Sequence, residues 1–187
     1  ELEKKVYQDE RPNKRNFSEL IRLTSNGLSD NLTGVVTRSV FFNQAQALLK
    51  KADSQRLCAL CFVDMDNLKY INDTFGHSGG DVALKSVGYI LREYEKRYEG
   101  IVGRYGGDEF VMAGPLADGL DANDFLDKIH QNINIYNKMH NHPYDVSASI
   151  GIITGIPTPE ISLDDFIKAA DEEMYKDKVI HHQLRKD

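Results

Sequence analysis

The run LCALCFVD, residues 57 to 64, constrains this chain more than any other stretch. Seven consecutive apolar residues end abruptly in an acid, with none of the alternation of a strand wet on one face. Such a run fits a strand buried on both faces, and so the centre of a sheet with helices packed over it. Asp64 then stands where the strand leaves the core, the place where α/β sheets meet their ligands. Cys58 and Cys61 lie inside the run. Their C-x-x-C spacing lacks the second pair, or the nearby histidines, of a zinc site, so they read as small buried hydrophobes in a reducing compartment.

Around that strand the periodicities give a partial element order. Residues 1 to 16, ELEKKVYQDERPNKRN, are charged and read as linker, and Phe17, Leu20, Ile21, Thr24 and Leu28 recur at helical spacing. Because the chain starts with Glu1, residues 1–28 are taken as linker and helix from an absent upstream region, and 29–187 as the domain proper. Phe41, Ala45 and Leu48 predict a helix over 38–51. Ala83, Val87, Ile90, Leu91 and Tyr94 predict another from about Gly80 to Tyr98. A hairpin follows, with strands Ile101–Tyr105 and Glu109–Gly114. Phe125, Ile129, Ile133 and Tyr136 mark a further helix, and Val146, Ala148, Ile150 and Ile152 alternate as a half-buried strand. Ser162 and Asp165 form a capping-box pattern that opens the last helix. Helices interleaved with strands that include a hairpin imply an α/β (α+β) fold with a mixed sheet, and 187 residues suit one such domain.

A net charge of -6 and a pI near 5.5 argue against broad non-specific binding to nucleic acid or anionic membrane. No apolar stretch has the length of a membrane span, and no signal peptide is visible. An acidic chain that handles a phosphorylated small molecule needs local cations or a metal.

RYGGDEF, residues 104 to 110, puts two carboxylates at a hairpin tip. Gly106 and Gly107 read either as an ordinary tight turn with positive φ or as a tip bared for a ligand. Taken singly, Asp64 and Asp108 read as a cap or a solvated turn. If the hairpin pairs beside the central strand, the two converge and repel unless a cation lies between them. Hard oxygen ligands point to Mg²⁺ or Mn²⁺ rather than zinc. Lys69 is placed to offset negative charge there, and the N–H groups from Met65 to Leu68 are placed to cradle phosphate oxygens.

Several motifs in order carry a family resemblance: DNLTG (30–34), Arg38 with Phe41, FVDMDNLKYINDTFGHSGGD (62–81), RYGGDEF (104–110), SIG (149–151), and AD followed by MYKDK (170–178). Over about residues 29 to 182 the chain resembles the GGDEF domains, the diguanylate cyclases of bacterial signalling. The resemblance implies a palm-like, nucleotide-cyclase type of fold, with a central mixed sheet, helices around it and the signature on a β-hairpin. It implies condensation of two GTP to cyclic di-GMP with release of two pyrophosphates, by two GTP-loaded domains facing each other as a homodimer. It further implies two Mg²⁺ or Mn²⁺ ions per GTP site, a cytoplasmic location and an upstream sensory domain.

Carried over by position, Asp64 and the Met65 carbonyl match metal ligands, and Asp108 matches a metal ligand and proposed base for the 3′-OH. Glu109 matches the adjacent acid near the metals, Lys69 the transition-state-stabilising lysine, and Lys178 a phosphate contact. Asn72 and Asp81 match the pair that reads guanine, whose adjacent N1–H and N2–H₂ donors suit a carboxylate. Leu68 falls in the phosphate-cradling backbone. His77 reads as a turn histidine, with substrate contact as the other reading.

Two departures stand out. The family's R-x-x-D product-inhibition motif reads here Arg97, Tyr98, Glu99, Gly100, which predicts weak or absent feedback. The G-R-N that commonly follows the last lysine reads His181, His182, Gln183. The alternative to an active cyclase is a catalytically weak or inactive GGDEF module that binds GTP or serves in regulation and dimerisation.

Overall fold

A computed structural model describes residues 27–51, 57–116, 120–156 and 162–184. The linker and the helix expected from Phe17 lie outside the described residues, as do the side chains of His181, His182 and Gln183. The elements are β1 (Val36–Thr37), α1 (Arg38–Lys51), β2 (Cys58–Met65), α2 (Leu68–Tyr98), β3 (Ile101–Arg104), β4 (Glu109–Pro115), α3 (Ala122–Met139), β5 (Ala148–Gly155) and α4 (Leu163–Leu184). The five strands form one mixed sheet in the order β1-β3-β4-β2-β5. Only the β1/β3 pair is parallel.

Every residue of β2 is buried, because helices cover both faces of the sheet. Ala59, Cys61, Val63 and Met65 face a core built with Ile71, Val87 and Leu91 of α2 and Phe125 and Ile129 of α3. Leu60 and Phe62 point the other way, toward Phe41 and Ala45 of α1 and Ile167, Ala170 and Met174 of α4. Period-two alternation therefore places Asp64 on the α1/α4 face and Met65 on the α2/α3 face. Burial pushes the Cys61 thiol up to about 12, which leaves it a small hydrophobe.

Two expectations are corrected and one element is new. Helix α2 begins at Leu68, not near Gly80: Leu68, Ile71 and Phe75 supply the helical spacing, and Gly76 (φ 76°, ψ 168°) kinks the element without ending it. The strand β1 was not foreseen, since two residues carry no period. Strand β5 is buried on both faces over its first half rather than half-buried. There α4 crosses so closely that a Cβ on Gly151 would run into the backbone of Ala170 and Met174. Ser162 caps α4 as the sequence suggests, its hydroxyl accepting from Asp165 N–H at 3.1 Å.

Candidate active site

The central strand and the hairpin deliver their carboxylates to one corner. Asp64 is the register partner of Glu109 on β4 and of Ser149 on β5, and Met65 N–H donates to the Asp108 carbonyl at 2.9 Å. Asp64 is 7% exposed, and Lys178 reaches it from α4 with Nζ 2.8 Å from Oδ1. Burial raises the pKa of Asp64, and Asp108 and Asp66 add repulsion that the Lys178 ammonium offsets only in part. Glu109 is also raised, by burial first and then by Asp108, Asp64 and Asp171. Lys178 loses some preference for its charge to burial but regains more from Asp64, so its pKa lies above the ordinary value.

This donor set fits a hard divalent cation: carboxylate oxygens crowd together at a cost that a cation removes. Among the described residues no three His, Cys, Asp or Glu side chains are already gathered as a metal cage. Lys178 holds one of the carboxylates instead, and the remaining donors of such a site are a backbone carbonyl and ligand oxygens.

Beside these acids, α2 starts with its first N–H groups uncapped by a side chain. Asn67 sits at the cap position in left-handed conformation (φ 59°, ψ 20°) and makes no capping bond. Open N–H groups and the helix dipole make an anion-binding end. Leu68 is its first residue, and Lys69 is exposed on the same turn. One turn on, Asn72 is half-buried, and a Cβ on Gly80 would occupy the place of its carboxamide. Asp81 follows, exposed. The kink thus brings Asn72 and the segment before Asp81 together. His77 is exposed within α2, one residue past the kink at Gly76.

The hairpin tip corrects one expectation: neither Gly106 nor Gly107 has positive φ. At Gly106 the space a Cβ would fill is taken by the Glu109 carboxylate, whereas Gly107 faces open space. The tip's shape is imposed by Arg104, whose side chain donates to Gly106 O at 3.2 Å and Gly107 O at 2.6 Å, and to both Asp30 oxygens at 3.1 and 3.0 Å. Asp30 also accepts from Thr33 N–H and hydroxyl at 2.8 and 2.6 Å. Burial pushes Asp30 up, but the bonds from Thr33 and the charge of Arg104 outweigh it, and its pKa is lowered. Sequence reasoning missed this clasp; its signal was the pairing of DNLTG with RYGGDEF. It also missed Asp66, 4% exposed, which accepts from Ser147 and Ser149 hydroxyls at 2.9 and 2.7 Å.

Residues 28–183 match the family described as diguanylate cyclase, GGDEF domain. The chain belongs to the GGDEF family. It is 33% identical over 158 residues to diguanylate cyclase DgcP of Escherichia coli, covering 83% of this chain and 46% of that protein. It is 32% identical over 163 residues to DgcN of the same organism, covering 84% and 38%. The chain thus spans less than half the length of these relatives. Among solved structures, the coiled coil and GGDEF domain of DgcB from Caulobacter crescentus, in complex with c-di-GMP, superimposes with TM-score 0.71 at 20% identity, covering 88% of this chain and 87% of that one. The GGDEF domain of TpbB from Pseudomonas aeruginosa gives 0.65 at 31%, covering 80% and 88%. The mixed sheet with its helices is accordingly the palm-like fold of GGDEF domains, and family membership implies use of a divalent cation. No described helix is long and apolar enough to cross a membrane.

Proposed function

We propose that this domain condenses two GTP into cyclic di-GMP and two pyrophosphates, each of two facing domains contributing one nucleotide. The carrying observation is the single corner where Asp64, Asp108 and Glu109 meet the uncapped start of α2 and the Lys178 ammonium. Asp64, the Met65 carbonyl, Asp108 and Glu109 would hold Mg²⁺ or Mn²⁺, two ions per nucleotide. When bound, the cations supply charge neutralisation on the phosphates and a more acidic 3′-OH.

The chain's own groups do the rest. The N–H groups at Leu68 and the following turn bind phosphate oxygens, and Lys69 stabilises charge that develops on the transferring phosphoryl group. Lys178, released from Asp64, pairs with phosphate. Asn72 and Asp81 read the guanine edge, where Asp81 accepts from two adjacent donors that adenine lacks. Asp108 takes the proton of the 3′-OH as its oxygen bonds to the α-phosphorus of the facing nucleotide. The bond from that phosphorus to the bridging oxygen breaks, and pyrophosphate leaves with the electron pair. A second such step closes the ring.

The domain lies on the cytoplasmic side of its parent protein, under an upstream sensory region. Residues 29–187 are read as the catalytic unit.

Incubating the protein with GTP and Mg²⁺ or Mn²⁺ while quantifying dinucleotide and pyrophosphate tests this reading. Two pyrophosphates per cyclic di-GMP are expected, and Asp108→Ala is expected to abolish product while retaining GTP. Absence of dinucleotide even from an enforced dimer would sink the enzyme reading and favour a GTP-binding or regulatory module.

A further inference from the structure

Residues Tyr144 to Ser149, which lead from α3 into β5, touch both halves of the candidate site. At one end the Tyr144 hydroxyl donates to the Gly79 carbonyl at 2.7 Å, and its ring packs on Phe75 at 5.1 Å between centroids. A Cβ on Gly79 would lie 2.8 Å from the Phe75 Cβ, 3.7 Å from Ile71 Cγ2 and 3.9 Å from the Tyr144 ring, so the segment after the kink packs closely on these three side chains. That segment includes Gly80, which seats the Asn72 carboxamide, and runs into Asp81.

At the other end, Ser147 and Ser149 grip Asp66, and Asp66 N–H donates to the Ser147 carbonyl at 2.9 Å. Asp66 lies two residues beyond Asp64. Between the ends, the Asn137 carboxamide exchanges two hydrogen bonds with the Val146 backbone, at 2.8 and 2.9 Å, and ties the stretch to α3. Behind Tyr144 the rings of His142, His140 and Tyr136 continue in a near-parallel stack, with interplanar angles of 10°, 7° and 15°.

We infer that Tyr144 is a positioning residue for base recognition: it touches no nucleotide, but through Gly79 it fixes the segment that seats Asn72 and presents Asp81. The strap from Tyr144 to Ser149 thereby sets the spacing between the base-reading end of the site and its carboxylate end. The kink at Gly76 makes such a brace necessary, because it interrupts the helix geometry that would otherwise locate Asp81 relative to Asn72. Hydrogen-bond strength falls steeply with misalignment, so a displaced Asp81 loses the two-donor edge of guanine first. This inference rests on the reading of GTP as the substrate.

The test is Tyr144→Phe in the whole chain, which removes one hydroxyl and keeps the ring. Titration with a GTP analogue whose α–β bridge resists cleavage, and with its adenine counterpart, measures affinity and selectivity. One lost hydrogen bond implies about three- to tenfold weaker guanine binding, with the guanine preference reduced by a similar factor. Affinity for Mn²⁺ alone stays at the wild-type value. Hydrogen–deuterium exchange without nucleotide is expected to quicken at residues 77–81 and not in β2.

Wild-type affinity, selectivity and exchange in the variant overturn the inference, and so does an equal loss of guanine, adenine and Mn²⁺ binding. If the wild-type chain shows no preference for guanine, the functional reading fails. The exchange measurement then still decides whether Tyr144 holds the segment.

Discussion

Asp64, Asp108 and Glu109 repel one another in a corner that burial makes less tolerant of charge, and this leaves a measurable trace in the absence of ligand. With its pKa raised above 4.5, Glu109 favours its protonated form in the fold. The folded chain then binds more protons than the unfolded one as pH climbs from 4.5 toward the raised value, and stability falls through that window. Glu109→Gln is therefore expected to raise the melting temperature at pH 7 and to make no difference well below pH 4.5. Mg²⁺ should narrow the difference by stabilising the wild type more, and a cation-independent gap would count against Glu109 facing the metals. Asp30 has the opposite sign. Its pKa lies below 3.8, so its contribution is complete above that value and is lost as pH falls through the lowered one. Charge-assisted bonds of this kind are worth about 1–3 kcal/mol in all, and Asp30→Ala should lower the urea midpoint accordingly at neutral pH. The two midpoints should converge on acidification.

Elements were legible where a local pattern and the final packing agreed. β2 was plain because its two-sided burial shows as an unbroken apolar run, and the hairpin because two apolar runs flank acids. The start of α2 was hidden because Gly76, Gly79 and Gly80 look like breakers. Gly79 and Gly80 are helical here, and they are glycine because neighbouring side chains fill the space a Cβ would need. The carboxylates, Lys69 and Asn72 were singled out by motif order, whereas the Asp30–Arg104 clasp joins residues 74 apart and leaves no local pattern. Lys178 depends on a similar long-range fit. It meets Asp64 only because Gly151 admits the α4 backbone, with Asp177 of α4 accepting from Ile150 N–H at 3.0 Å. Gly151→Ala should thus cost about 1–3 kcal/mol through overpacking. It should also weaken triphosphate binding by displacing Lys178, while Gly107→Ala, facing open space, leaves the fold stable. At the other end of α2, Arg97 is exposed in the last turn, Glu99 is left-handed, and Gly100 would place a Cβ 3.0 Å from the Ala113 carbonyl. With no acid at Gly100 to pair with Arg97, added cyclic di-GMP is expected to leave the initial rate unchanged. Inhibition that Arg97→Ala abolishes would contradict this.

At the scale of the molecule, the proposed reading makes the corner at the end of β2 one nucleotide site, with one uncapped helix end and with Asn72 and Asp81 as its proposed base-reading pair. A cyclic dinucleotide contains two phosphodiester bonds, each made by one nucleotide's 3′-OH on the other's α-phosphate. One such site holds a 3′-OH and a triphosphate that belong to the same nucleotide, and so it lacks the facing partner that in-line attack requires. On the proposed reading two copies related by a two-fold axis would supply both reactions with the same residues, and the -6 charge of each copy would oppose their encounter. The initial rate of dinucleotide formation at saturating GTP should therefore rise as roughly the square of protein concentration when the chain is dilute. Fusing a parallel dimeric coiled coil ahead of residue 29 should make the rate linear in protein and raise it most at the lowest concentrations, by the effective concentration of the tether. GTP affinity per chain should not change. A rate already linear for the unfused chain at high dilution, with the chain monomeric by sedimentation, would show that one domain closes the ring alone and would remove the facing arrangement from the mechanism.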